Sequence, residues 1–230
     1  MRKITIAIDG FSSTGKSTLA KQLAKELEYV YVDAGAMYRG VAYFAMQNKF
    51  IGVDFFDKSA LINALSKIQL EFKFNTDLGF AEMYLNSENV EKQIRTIEVS
   101  NFVSKVAEVS EVRAKLVEQQ QEMGKNKAIV MDGRDIGTVV FPNAELKIFM
   151  TASAETRAQR RFDELQQKGD NVSYEDVLKN VVERDYIDTH REDSPLVIAD
   201  DAIEIDNSYL NKKEQFEAVL ELVNDALKTI

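Results

Sequence analysis

The stretch Ile4-Thr5-Ile6-Ala7-Ile8-Asp9-Gly10-Phe11-Ser12-Ser13-Thr14-Gly15-Lys16-Ser17-Thr18 decides how this chain is read. A short apolar run passes into a loop of the form G-x-x-x-x-G-K-S, and a helical pattern follows at once. The physical meaning is a phosphate cradle. Gly10 and Gly15 allow backbone conformations that bulkier residues resist, so successive N–H groups can turn inward on an anion. Lys16 adds a positive charge for the β- and γ-phosphates, and Ser17 offers a hydroxyl to Mg²⁺. The helix opening near Lys16 aims its positive dipole end at the same point. Gly10, Phe11, Ser12, Ser13, Thr14, Gly15, Lys16, Ser17 and Thr18 are therefore the residues expected on the phosphates of ATP. The loop alone leaves open where the phosphoryl group goes.

The chain has 230 residues, enough for one large domain with a substantial core, and its 45% hydrophobic and 29% charged residues are the balance of a globular protein. It contains no cysteine, which excludes disulfides and thiolate metal sites. The apolar run after Met1-Arg2-Lys3 is too short for a signal or membrane helix, so a cytosolic protein is expected. A net charge of −9 argues against a nucleic-acid or membrane-surface binder, which would need a broad positive field. If the ligands are anionic nucleotides, their positive partners must be gathered locally. With only Pro142 and Pro195 as prolines and no Gly/Ser-rich stretch, no flexible interdomain linker is expected.

Outward from the loop, strands alternate with helices. A helix over about Lys16–Leu27 precedes a strand at Tyr29–Val32, and Ala36–Gln47 has helical spacing. A helix near Lys58–Ser66 leads to two period-two segments, Gln69–Phe74 and Ala81–Leu85, with a turn at Asn75–Gly79, which predicts a β-hairpin. Helices over Ile94–Glu108 and Glu111–Met123 follow, then strands at Ala128–Met131 and Leu146–Met150. Helices at Ala154–Gln167 and Ser173–Thr189, a strand at Ala202–Ile205 and a helix from about Lys212 complete the order. This alternation predicts an α/β fold with a parallel sheet covered on both faces, whose ligands collect at the carboxyl ends of the strands. Gly10, Asp33, Asp132 and Asp206 lie just beyond such ends. Asp132 is placed like the second acidic residue of a P-loop site, so Ser17 and Asp132 are the expected Mg²⁺ partners, directly or through water.

The arginines address the acceptor, since a guanidinium grips phosphate with two parallel bonds and stays charged. Arg157, Arg160 and Arg161 share one helical turn; Arg184, Asp188 and Arg191 stand at i, i+4 and i+7 on one face. Arg134 and Asp135 directly follow a strand end, and Arg39 sits one turn into a helix. Any one of these could equally be a solvated surface charge; Arg184–Asp188 would then be an ion pair worth about 0–1 kcal/mol. Lone His190 reads as a polar helix residue, and on spacing alone Ser104 and Arg113 read as ordinary helix surface.

Five segments together carry a resemblance: Ile8–Ser17, Asp33-Ala-Gly-Ala-Met-Tyr-Arg39, Ile94-Arg-Thr96, Asp132-Gly-Arg-Asp-Ile-Gly-Thr-Val-Val-Phe-Pro142, and Glu183-Arg-Asp185 leading to Arg191. In this order, over essentially the whole chain, they resemble the bacterial cytidylate (CMP/dCMP) kinases of the nucleoside monophosphate kinase group. The resemblance implies phosphoryl transfer from MgATP to CMP or dCMP. It implies that Ser104, Arg113 and Asp135 read the cytosine edge and that Arg184 and Asp188 lie at the ribose. Arg39, Arg134 and Arg191 would hold the CMP phosphate, with Asp33 in the same substrate-binding set. Lys16, Arg134, Arg157 and Arg161 would neutralise the transferring group, the last two from a mobile lid at about residues 153–172.

The resemblance further implies one domain over residues 1–230, with its core at about 1–35, 125–152 and 195–230 and a monophosphate-binding insert at about 36–124. Ala34 stands where that family carries Ser or Thr, and Phe11-Ser12-Ser13-Thr14 replaces its more usual Pro and small residues. The partners expected are ATP and CMP or dCMP, with Mg²⁺, no nucleic acid, no membrane, and a monomeric state. Two other readings compete. Another small-molecule P-loop kinase would lack the hairpin insert and the Asp132–Pro142 stretch. A GTPase-like switch would want Asn-Lys-x-Asp, which Asn126-Lys127-Ala128-Ile129 and Asn211-Lys212-Lys213-Glu214 both miss.

Overall fold

A computed structural model describes residues 3–77 and 79–229. The elements run β1 (Thr5–Gly10), α1 (Lys16–Leu27), β2 (Val30–Asp33), α2 (Ala34–Gln47), α3 (Lys58–Ala64), β3 (Leu70–Asn75), β4 (Phe80–Leu85), β5 (Glu88–Asn89), α4 (Ile97–Ala107) and α5 (Ser110–Gly124). They continue with β6 (Ile129–Asp132), β7 (Leu146–Thr151), α6 (Ala154–Gln167), α7 (Tyr174–His190), β8 (Ile203–Asp206) and α8 (Lys212–Thr229). Two compact units result: residues up to Tyr31 together with those from Gly124 onward, and the intervening Val32–Met123.

The first unit is built on a five-stranded sheet in the order β2-β6-β1-β7-β8. β1 is central and buried along its whole length, as its near-continuous apolar sequence requires of a parallel strand covered on both faces. It pairs in parallel with β6 and β7, with Ile8 opposite Asp132 and Gly10 opposite Met150. This register brings the start of the glycine loop and the β6 carboxylate to the same sheet end. Ile4, Ile6 and Ile8 pack with Leu19 and Leu23 of α1, Val130 of β6, and Val219 and Val223 of α8. Truncating one of these isoleucines to alanine would cost about 2–5 kcal/mol.

In the second unit β3, β4 and β5 form a separate antiparallel sheet, with Leu70 opposite Leu85 and Asn75 opposite Phe80. The hairpin is the one expected from its alternation. Gly79, at φ +71°, closes the turn with its N–H on the Asn75 carbonyl at 2.9 Å, while Leu78 lies outside the described residues. Met37 and Val41 of α2 form this unit's core with Leu61, Met83, Val103 and Leu116.

Two helix starts move by two or more residues from expectation, each for a local reason, and one short turn is added. α2 starts at Ala34 rather than Ala36 because the Asp33 carboxylate accepts the Ala36 N–H at 2.8 Å and caps the helix. The helix expected from Ile94 begins at Ile97; Gln93–Arg95 form a 3₁₀ turn, and Thr96 caps α4 by accepting from the Val99 N–H at 3.4 Å. The Ile136–Val140 segment coils as a single π-helical turn, with the N–H groups of Val139 and Val140 sharing the Asp135 carbonyl at 2.9 and 3.2 Å.

Candidate active site

The glycine loop of the first unit has two glycines at positive φ. Gly10 has φ +136°, and a Cβ there would lie 1.9 Å from the Met150 carbonyl oxygen; Gly15 has φ +93° and stands at the N-terminus of α1. Only glycine satisfies the first position. Lys16 is buried and donates to the Phe11 carbonyl and, at 3.3 Å, to the Thr14 hydroxyl. Burial pulls its ammonium down to about 7, the Arg134 and Arg184 charges push the same way, and Asp132 and Asp9 oppose them. Lys16, Arg134 and Arg184 therefore share one electrostatic neighbourhood.

Ser17 donates to one Asp132 oxygen at 2.9 Å and Tyr31 to the other at 2.8 Å. A hydroxyl beside an ordered carboxylate is the donor set a hard, oxygen-seeking cation takes, and Mg²⁺ on phosphates needs only one or two such protein groups. Among the described residues there is no group of three or more His, Asp or Glu that could hold a metal ion.

Three of the arginines expected on the acceptor come together around Asp188 in this unit. Arg134 donates through Nε to Asp188 at 2.8 Å. Arg191, which caps the end of α7, donates through Nε to the Ser194 carbonyl at 2.7 Å and lies 3.9 Å from Asp135. Arg184, one turn before Asp188 on α7, is pulled down to about 10 by burial and by the neighbouring Arg134, against the pull of Asp188. Burial would push Asp188 up, yet Arg134, Arg184 and Arg191 outweigh it and hold its carboxyl below the usual range. Besides burial, Lys16 and Arg184 are thus both depressed by the charge of Arg134, while Asp188 and Asp185 outweigh burial and hold Arg134 itself above its ordinary value.

The arginines expected in a lid divide. Arg157 is buried, grips Asp185 through two N–H groups at 3.0 and 2.6 Å, and donates to the Ala152 carbonyl at 2.8 Å. Its guanidinium also lies 5.0 Å from the Phe11 ring, which meets Phe149 edge-on at 6.0 Å. Arg161 pairs with Glu164 at 3.0 Å, three residues on along the same helix. Arg160 was singled out in sequence only as one of the trio. It donates to the Asn207 side chain and carbonyl at 3.1 and 2.8 Å, and Asn207 in turn donates to the Thr14 carbonyl and to Gln215. Thr14, Gly15, Thr18, Arg160, Asn207 and Gln215 line a cavity of about 340 Å³ beside the cradle.

In the second unit Asp33 is ion-paired with Arg95 at 2.8 Å, and Arg95 also grips Glu91 at 2.9 and 2.8 Å. Burial raises the Asp33 carboxyl, but Arg95, Arg39 and the Ala36 amide outweigh it and leave it below the usual range. Arg95 enters the sequence reading only as the middle of the Ile94-Arg-Thr96 segment, with no partner; the pair with the strand-end carboxylate of Asp33 appears only in the fold, where Arg95 closes the 3₁₀ turn after β5. Ser104 and Arg113, which spacing alone reads as helix surface, are 4% and 2% exposed, a correction to that reading. Arg113 donates to the Ala107 carbonyl at 3.4 Å and stacks 5.7 Å from the Tyr38 ring, satisfying in part a charge that an apolar environment would otherwise reject. Arg39 lies one turn into α2, and Ala34 is buried at that helix's first position.

The family model for cytidylate kinase matches residues 6–225. The chain belongs to that family. A cytidylate kinase from Flavobacterium johnsoniae is 93% identical over 228 residues, 99% of each chain. One from Bacteroides fragilis is 54% identical over 228 residues, 99% of this chain and 100% of its own. Among solved structures, a gluconokinase from Sinorhizobium meliloti 1021 aligns over 99% of this chain and 97% of that one, with a TM-score of 0.50 at 13% identity, a likeness of fold. The family assignment leaves the GTPase-like and other-kinase readings without support.

Proposed function

We propose that this cytidylate-kinase family member transfers the γ-phosphoryl group of ATP to an oxygen of the 5′-phosphate of CMP or dCMP. The bond from Pγ to the β,γ-bridging oxygen breaks, ADP leaves with that electron pair, and a new P–O bond makes CDP or dCDP. The acceptor is already an anion, so no general base is needed, and catalysis is positioning plus neutralisation of charge. The observation that carries the reading is the shared field of Lys16, Arg134 and Arg184, which sets an anion site beside a triphosphate cradle.

In this reading Gly10, Phe11, Ser12, Ser13, Thr14, Gly15, Lys16, Ser17 and Thr18 hold the ATP phosphates, and the cavity between Thr14 and Gln215 takes the nucleoside end of the donor. Ser17 and Asp132 hold Mg²⁺, directly or through water. When bound, the ion neutralises charge on the phosphate oxygens. Lys16, Arg134 and Arg161 face the transferring group, with Arg157 held on Asp185. For the acceptor, we assign Asp135 to the cytosine amine, Arg184 and Asp188 to the ribose, and Arg134 and Arg191 to the phosphate within the first unit. Asp33, Arg39, Ser104 and Arg113 are the assigned acceptor residues of the second. Cytosine offers an exocyclic N–H donor that a carboxylate accepts.

ADP release is measured with CMP, dCMP, UMP and AMP as acceptors. CMP and dCMP should be turned over well above AMP; equal rates with AMP and CMP overturn the assignment. Asp135→Ala should lose about 1–3 kcal/mol more with CMP than with UMP, whose base lacks the amine. Equal losses with both remove Asp135 from the base.

A further inference from the structure

We propose that Asp9 is a positioning residue for acceptor recognition: its carboxylate clamps two successive backbone amides of the loop that carries Arg134 and Asp135. Asp9 is the last residue of β1 before the cradle glycine and belongs to none of the nucleotide-binding sets above. It is buried. One oxygen accepts the Ile136 N–H at 2.8 Å and the other the Gly137 N–H at 2.7 Å. One residue earlier, the Ile8 carbonyl accepts the Gly133 N–H at 3.0 Å. The loop from Gly133 to Gly137 is thus stapled to β1 at both ends, with Arg134 and Asp135 held between the staples.

A central strand buried on both faces gains nothing from a carboxylate as such, since burial of a charge is costly unless it is hydrogen-bonded. Here burial raises the Asp9 carboxyl to about 6 against the two amides that lower it. An apolar residue would pack the strand at less cost but could not hold both amides. Gly137 is fitted to the same contact: a Cβ there would sit 3.3 Å from the Asp9 Oδ2 and 3.1 Å from the Lys147 side chain. The clamp fixes the backbone on either side of Asp135, and hence the direction in which its carboxylate points. The inference rests on the assignment of Asp135 to the acceptor base.

Asp9→Asn tests it, because asparagine keeps the shape but accepts only one amide and turns its own NH₂ toward the other. Gly137→Ala presses on the same bond while leaving the Asp9 charge in place. Both should lower the CMP-over-UMP preference in kcat/KM, Asp9→Asn by about tenfold, the equivalent of one hydrogen bond to a charged group. In Gly137→Ala, which keeps the Asp9 charge that acts on Lys16, the KM for ATP should stay within about twofold, which a general loss of structure would not permit. Amide exchange at Ile136 and Gly137 should speed up by about tenfold or more in Asp9→Asn.

A CMP-over-UMP preference unchanged in Gly137→Ala and Asp9→Asn, or equal losses for ATP and CMP in Gly137→Ala, overturns the proposal. If Asp9→Asn does not fold, Gly137→Ala alone decides by the same ratio. If Asp135→Ala itself leaves the ratio unchanged, the base assignment has failed. Unchanged amide exchange in Asp9→Asn would then refute the clamp as well.

Discussion

Replacing Asp188 with alanine removes the carboxylate that Arg134 holds at 2.8 Å and that also offsets the charges of Arg184 and Arg191. The aspartate is buried. Stripping one partner from a buried pair costs about 3–5 kcal/mol, because the other charge is left desolvated and unanswered. For a chain of this length each kcal/mol moves the melt by about 2–4 °C, so Tm should fall by roughly 6–20 °C. Asp188→Asn keeps an acceptor oxygen and should fall less. The pH dependence has a definite sign. The folded carboxyl titrates below its unfolded value of about 3.9, so its stabilising contribution is present above that pH and is lost as pH falls through the folded pKa. The gap between wild type and Asp188→Asn should therefore be flat from neutrality down to about pH 5 and close in stronger acid. Calorimetry with and without inorganic phosphate is the assay: phosphate should raise the melt of Asp188→Ala more than that of wild type, by restoring negative charge among the arginines. A loss of stability under about 1 kcal/mol, or equal phosphate effects on both proteins, would refute the picture of a charge-balanced anion site.

Gly10→Ala should destabilise by about 2–6 kcal/mol, because the new Cβ would meet a strand carbonyl at 1.9 Å in a left-handed conformation; a denaturant midpoint unchanged within error rules this out. Lys16→Met should lower kcat by at least about a hundredfold with Tm unchanged or higher, since a buried ammonium is exchanged for an apolar chain of similar length. Retained turnover would contradict the cradle assignment. Ser17→Ala loses a hydrogen bond worth about 1 kcal/mol and should raise the Mg²⁺ concentration for half-maximal rate roughly tenfold. No change in a Mg²⁺ titration would take Ser17 out of the ion's coordination.

Much of the first unit was legible in the chain because backbone chemistry there leaves few options. An apolar run ending in Asp9-Gly10, a Gly-Lys-Ser turn and a second apolar run ending at Asp132 dictate a glycine loop beside a carboxylate, and Ile8 does lie opposite Asp132. The hairpin of the second unit was legible from its period of two. Pairings that cross long stretches of chain were not. Arg157 and Asp185 are 28 residues apart and show no common pattern, yet they form a bidentate pair. Ser104 and Arg113 were misread on spacing because polar residues on a helix count as solvent-facing until a partner surface covers them. Asp9 was invisible as a clamp: in sequence it is one acid at the end of a strand, and its partners are backbone amides, which have no letter.

Phe11 uses its two ends differently. Its carbonyl accepts from Lys16 and from Thr14 at 3.0 Å, while its ring meets Phe149 and the Arg157 guanidinium. Every amino acid has that carbonyl, so nucleotide binding places no demand on the side chain at this point of the loop. The demand comes from β7 and α6 instead. Change at position 11 is therefore tied to change at 149 and 157, and those three positions should drift together among relatives while Gly10, Gly15 and Lys16 stay fixed. The side chain at position 11 thus answers to how the neighbouring helix is anchored, not to which nucleotide is bound.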